Sequence, residues 1–230
     1  MSIKHDMTDG ITGTAGAVCE DKARSEASSQ KLARIAIFAS GSGSNFQALA
    51  DAISQEPEAY QAEVALVVCD KPSAYVIERA KAAGIDTAIF QPKQYENRAA
   101  YERDVLARLQ AENIDWIVLA GYMRIVTPVL LAAYAGRMLN IHPSLLPAFP
   151  GLHAIKQALD YGVRVTGVTV HLVDEGMDTG PILAQRAVVI EDGDTEDTLA
   201  ERIHAVEHEL YPQVVKELIQ GRLQPSQPRG

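Results

Sequence analysis

Hydrophobic positions fall into two rhythms that alternate along most of the chain. Solid apolar runs have the length of buried strands: ARIAIFAS (33–40), EVALVVCD (63–70), IDTAIF (85–90), IDWIVLAGYM (114–123) and MLNI (138–141). Between them, apolar residues recur every three or four positions. Phe46, Leu49, Ala50 and Ile53 follow the first run, and Tyr101, Val105, Leu106 and Leu109 precede the fourth. That spacing predicts helices, as do SAYVIERAKAAG (73–84), closed by Gly84, and PVLLAAYAG (128–136), with Thr127 as N-cap and Pro128 at the first helical position. Strands and helices taking turns in this way predict an α/β fold, a Rossmann-like, mostly parallel sheet flanked by helices.

Past Leu139–Gly151 the rhythm changes. Leu152–Tyr161 reads as a short helix. TGVTVHLVD (166–174) alternates, with Val168, Val170 and Leu172 opposite Gly167, Thr169, His171 and Val173. It predicts a half-exposed strand, with antiparallel pairing one option, so the sheet is expected to be mixed in its C-terminal part. LAQRAVVI (183–190) reads as a further or edge strand. Thr195 is placed to cap a last helix that packs through Leu199, Ile203, Val206 and Leu210. Residues 1–31 are polar and aperiodic and read as a flexible extension, with room for a short helix over Cys19–Ala33. Residues 32–223 are expected to form a single domain, and 224–230 a flexible tail.

The first candidate chemistry lies in Leu139–Gly151, LNIHPSLLPAFPG. Asn140 and His142 are two apart, so on a strand their side chains point to one side. An amide and an imidazole there can stabilise an oxyanion and move a proton. Pro143, Pro147 and Pro150 stiffen the loop beyond the strand. The same residues also suit a strand end with buried polar side chains, and the segment alone does not choose. GSGSN (41–45) joins the first strand to the first helix. Its glycines allow close backbone approach, and the helix N–H groups beside Ser44 and Asn45 suit an anion. Phe46 replaces the third glycine of a dinucleotide fingerprint, which favours a single phosphate over a dinucleotide with Asp70 as its ribose acid. GSGSN, MRIV (123–126) and Asn140–His142 all fall at carboxyl ends of strands, which share one edge in a parallel sheet and can converge on one cleft. Asp178, in the loop EGMDTGPIL, is either a turn residue or a carboxylate that orients a histidine. His204, Glu207 and His208 spell HxxEH, an inverted zinc-protease pattern. No third ligand suggests itself, so a packing face or a substrate contact from Glu207 is preferred and no metal is expected.

Composition narrows the class. Hydrophobic residues make up 47% of 230, enough for a substantial core. A net charge of −9 argues against nucleic acid or an anionic membrane surface as partner. No apolar run approaches the length of a membrane span, and the first residues lack the pattern of a secretory signal. With only Cys19 and Cys69, a disulfide framework is not expected and a reducing, cytoplasmic location is.

FASGSGSNFQAL, LAGYMRIV, LNIHPSLLPAFPGLHA, TGVTVHLVDEGMDTGPIL and VEHELYP together resemble the phosphoribosylglycinamide formyltransferases, in order from about Arg34 to Leu223. The NIHPSLLP block and spaced aspartate are shared by a wider superfamily that includes methionyl-tRNA formyltransferase and formyltetrahydrofolate deformylase. GSGSN and the chain architecture, with no room for either relative's extra domain, narrow the resemblance to the purine enzymes. It implies formyl transfer from 10-formyltetrahydrofolate to the amine of glycinamide ribonucleotide, with no metal, and it is compatible with a homodimer. It places Asn140, His142 and Asp178 on the catalytic trio, and Gly43, Ser44 and Asn45 on the loop that holds the ribonucleotide phosphate. Glu207 falls on a ribose contact, Met123, Arg124, Ile125 and Val126 on the wall of the folate pocket, and Arg98 on the contact to the folate's glutamate end. Thr169 and His171 fall on supporting positions beside the trio. A formyltetrahydrofolate hydrolase would use the same trio with water as acceptor.

Overall fold

The computed structural model describes residues 31–225. The expected extension, apart from Lys31, and most of the expected helix over Cys19–Ala33 lie outside them, as does most of the tail. Ala33 itself is the first residue of a strand.

Seven strands form one sheet: β1 (Ala33–Ala39), β2 (Ala62–Cys69), β3 (Asp86–Ile89), β4 (Trp116–Leu119), β5 (Met138–His142), β6 (Val165–Leu172) and β7 (Ile182–Val189). Their order is β3-β2-β1-β4-β5-β6-β7. The first five are parallel, and β6 and β7 are antiparallel to their neighbours. The connecting helices are α1 (Ser44–Gln55), α2 (Pro57–Tyr60), α3 (Val76–Ala82), α4 (Arg98–Ala111), α5 (Pro128–Ala133), α6 (Ala154–Tyr161) and α7 (Glu196–Ile219).

The solid apolar runs are explained by burial on both faces of the sheet. On β1, Ile35, Ile37 and Ala39 pack into one core with Phe46 and Leu49 of α1 and Leu199 and Ile203 of α7. Ala36 and Phe38 point the other way, into a second core with Val105 and Leu109 of α4 and Leu130 of α5. Each expected cap is in place: Thr127 Oγ1 accepts from Val129 N, and Thr195 and Thr198 form a reciprocal capping box.

Two expectations change. The fourth run spans 114–123, but β4 stops at Leu119. Its neighbour β1 ends at Ala39, and the last rungs between them are Ala120 N to Phe38 O and Ser40 N to Gly121 O. Beyond these rungs YMRIV continues as a loop off the sheet edge. The alternating β6 is buried almost throughout instead of half-exposed. It lies between β5 and β7, and the proline loop after β5 covers its second face: an added Cβ on Gly167 would sit 2.6 Å from Leu145 Cδ2. The alternating, half-exposed strand is the edge strand β7.

Candidate active site

A cleft of about 600 Å³ runs along the carboxyl edge of the parallel strands. One end is built by Gly43, Ser44, Asn45, His204 and Glu207, and the other by Arg98 and the Met123–Val126 loop. Asn140, His142, His171 and Asp178 lie on its wall. Of the residues that the family resemblance assigned to the site, Thr169 alone stays off the cleft, fully buried beneath the proline loop.

Pairing of β5 with β6 sets Asn140 opposite His171. Asn140 Nδ2 lies 3.2 Å from His171 Nε2 and 3.4 Å from Asp178 Oδ1. His171 Nδ1 donates to Leu172 O at 2.8 Å, which leaves Nε2 facing Asn140 Nδ2 and, at 3.6 Å, Asp178 Oδ1. His142 Nε2 donates to Phe149 O at 2.8 Å, because a carbonyl can only accept. That leaves Nδ1 facing Asp178 Oδ2 at 3.4 Å. Asp178, 38 residues beyond Asn140, therefore reaches both members of the pair. It stands at φ +55°, and Gly151 N donates to its Oδ2 at 2.7 Å. Burial works to raise the Asp178 carboxyl, but the His171 ring, the Gly151 N–H and the charge of His142 outweigh it and hold the group below the usual carboxylate range.

At the α1 end, Gly43 caps the helix in the left-handed conformation, φ +75°, with no side-chain cap among the described residues. A Cβ there would fall 2.6 Å from Val76 Cγ2, so the turn admits only glycine without rearrangement. The first N–H groups of α1 are thereby left to the cleft. Asn45 Nδ2 donates to Glu207 Oε2 at 2.8 Å, so the two expected substrate contacts hold each other in the free protein. Glu207 is 4% exposed, and burial pushes its carboxyl up against the pull of Asn45 and His204. Asn45 Oδ1 is buried with no hydrogen-bond partner among the described residues. His204 also lines this end, which sequence spacing treated only as part of a metal pattern.

At the other end, Arg124 Nη1 lies 3.4 Å from Asp70 Oδ2, and its guanidinium sits over the Tyr101 ring. Asp70 is thus committed to Arg124 and does not line the cleft, which removes the residue that a dinucleotide reading needed for the ribose. Met123 and Ile125 stand exposed on the loop. The loop is anchored by Glu102 of α4, a residue the sequence reading passed over. Its buried carboxylate accepts from Thr127 N at 2.7 Å and from Thr127 Oγ1 at 2.5 Å.

Residues 33–215 match the family model described as formyl transferase. The chain belongs to the formyl transferase family. Among relatives of this formyl transferase, the phosphoribosylglycinamide formyltransferase of Bacillus subtilis (strain 168) is 52% identical over 188 residues, 82% of this chain and 95% of the relative. The human trifunctional purine biosynthetic protein adenosine-3 is 42% identical over 195 residues, which are 85% of this chain but 19% of that protein. Solved structures agree. Phosphoribosylglycinamide formyltransferase from Bacillus halodurans superimposes with a TM-score of 0.78 at 56% identity, covering 81% of this chain and 95% of that one. Glycinamide ribonucleotide transformylase 1 from Symbiobacterium toebii gives 0.82 at 46% identity, covering 85% and 92%. The Rossmann-like, mostly parallel sheet expected from the alternation of strands and helices, mixed in its C-terminal part, is the fold observed, and these formyltransferase structures share it. No helix among the described residues of this formyl transferase is long and apolar enough to cross a membrane.

Proposed function

We propose that the chain transfers the formyl group of 10-formyltetrahydrofolate to the amine of glycinamide ribonucleotide, a step of purine biosynthesis carried out in the cytoplasm. The observation that carries this reading is the meeting of Asn140, His142 and Asp178 between an anion-binding end and a half-apolar end of one cleft. The ribonucleotide phosphate sits on the N–H groups at Gly43–Asn45, with Glu207 at the ribose. The folate lies against Met123–Val126, with its glutamate end toward Arg98.

The amine adds to the formyl carbon, giving a tetrahedral species with an oxyanion. Asn140 has two amide N–H groups. One is held by His171, and the other, now on a long 3.4 Å contact to Asp178, turns to the oxyanion. His142 cannot deliver a proton from Nε2, which Phe149 O holds. It acts from Nδ1, beside Asp178, so the ring and the carboxylate work as one unit. Asp178, held ionised, draws the proton from the attacking nitrogen and passes it, through a water, to the leaving N10 as the C–N10 bond breaks, which returns the carboxylate to its starting state.

The test is direct. Incubation with 10-formyltetrahydrofolate and glycinamide ribonucleotide should give formylated ribonucleotide and tetrahydrofolate in equal amounts. Release of free formate at the same rate with and without the ribonucleotide would replace this reading with hydrolysis.

A further inference from the structure

The loop after β5 is held mainly by side chains, and Ser144 sits at its centre. Ser144 is completely buried and does not line the cleft. Every polar atom it carries is engaged. Its N–H donates to His142 O at 2.9 Å, its Oγ donates to Ala148 O at 2.6 Å, and its carbonyl accepts from Thr169 Oγ1 at 2.7 Å. Thr169 Oγ1 in turn accepts from Leu146 N and from Gln185 Nε2, each at 3.0 Å. Two side-chain rungs therefore cross the loop: His142 Nε2 to Phe149 O, and inside it Ser144 Oγ to Ala148 O.

The residue between the rungs' acceptors and the cleft is strained. Phe149 stands at φ +53°, a region that a bulky side chain enters only when its surroundings impose it. The Ala148 carbonyl and the Phe149 N–H share one rigid peptide plane. Pinning the Ala148 oxygen therefore restricts rotation at Phe149, and with it the direction of the Phe149 carbonyl that takes the proton of His142.

We propose that Ser144 is a positioning residue for His142. Its hydroxyl holds Phe149 in the left-handed conformation, keeps the Phe149 carbonyl on Nε2–H, and so leaves Nδ1 turned to Asp178. Thr169 locks Ser144 from beneath, which gives the supporting threonine a specific task. The effect on rate rests on the formyl-transfer reading above. The effect on the His142 ring does not.

Two variants test this in the full-length protein, Ser144→Ala, which deletes the hydroxyl, and Ser144→Cys, which keeps a weak donor of similar size. Kinetic constants for both substrates are measured beside the His142 ring N–H signal in ¹⁵N-edited NMR of the free protein. Ser144→Ala should lower kcat on the order of tenfold to a hundredfold, the usual result of misplacing a catalytic group by a fraction of an ångström to one ångström. Both KM values should stay at the parent level, Ser144→Cys should fall between parent and Ala, and the slowly exchanging Nε2–H signal should broaden in the same order. A parent-like kcat in Ser144→Ala overturns the proposal, as does a fall in kcat with an unchanged ring signal. If Ser144→Ala does not fold, Ser144→Cys carries the same two readouts. A parent protein inactive in formyl transfer sinks the proposed function, and the ring signal alone then decides the role of Ser144.

Discussion

Replacing Asp178 with Asn changes one atom and should separate catalysis from folding. The position stands at φ +55°, which Asn tolerates nearly as well as Asp, so the loop should keep its shape. The carboxylate uses both oxygens: Oδ2 takes Gly151 N at 2.7 Å and faces His142 Nδ1, while Oδ1 faces Asn140 Nδ2 and His171 Nε2. An amide has one oxygen. The short Gly151 contact will claim it, and the new NH₂ then confronts the NH₂ of Asn140, donor against donor. His142 loses its negative partner in the same step. Losing a hydrogen bond to a charged group costs about 1.5–3 kcal/mol. At roughly 1.4 kcal/mol per decade of rate, that is about a tenfold to a 150-fold fall. The assay is single-turnover formyl transfer with both substrates saturating, beside calorimetric titration of the ribonucleotide, whose affinity should change little. A transfer rate within about threefold of the parent, with both substrates bound, would refute the coupling of Asp178 to the trio.

Asn140→Ala removes the oxyanion donor itself and should cost about 2.7–4 kcal/mol in the barrier, read as a fall of roughly a hundredfold or more in kcat. Asn45→Asp places a second carboxyl where an amide now donates to the buried Glu207 at 2.8 Å. It should weaken ribonucleotide binding by about tenfold or more while leaving folate binding near the parent, and calorimetry giving the reverse order would reject the assignment of that end. Burial first, then the charges of His204 and Arg79, hold the His208 imidazole below its ordinary value. The unfolded chain therefore binds a proton at His208 where the folded one does not, so stability is full above about pH 6.5 and falls as pH drops from there toward the folded value. His208→Gln should flatten that slope in denaturant titrations at three pH values, and an unchanged slope would show that other groups set it.

The strands were largely legible because burial on two faces leaves solid apolar runs, and parallel strands put GSGSN, MRIV and Asn140–His142 on one edge. Where apolarity outran pairing, the reading overshot: Tyr122 and Met123 continue the apolar run past the last β1 rung, Ser40 N to Gly121 O. The burial of β6 was hidden for the opposite reason, since the cover over Gly167 and Thr169 is an irregular, proline-rich loop that no periodicity describes. Among the site residues, His171 opposite Asn140 is a matter of strand register, and the approach of Asp178 to His142 depends on a loop conformation fixed by the Gly151 N–H. Neither leaves a trace in composition. Glu102 was invisible because a glutamate on an amphipathic helix looks solvated, whereas here it is 4% exposed and accepts bonds from the backbone and side chain of Thr127.

The two cores of the sheet carry a consequence for how this cleft can change. The anion end hangs on α1 and α7, whose apolar residues fill one core, while the loop at the other end is tied through Glu102 and Val126 to the core of α4 and α5. Only the wall of Asn140, His142 and His171 belongs to the strands that separate them. Each proposed substrate seat can therefore drift with its own helical layer, through repacking around Ile203 or around Val105, while the strand wall stays fixed. Such a molecule can retune its hold on one substrate with little disturbance to the other.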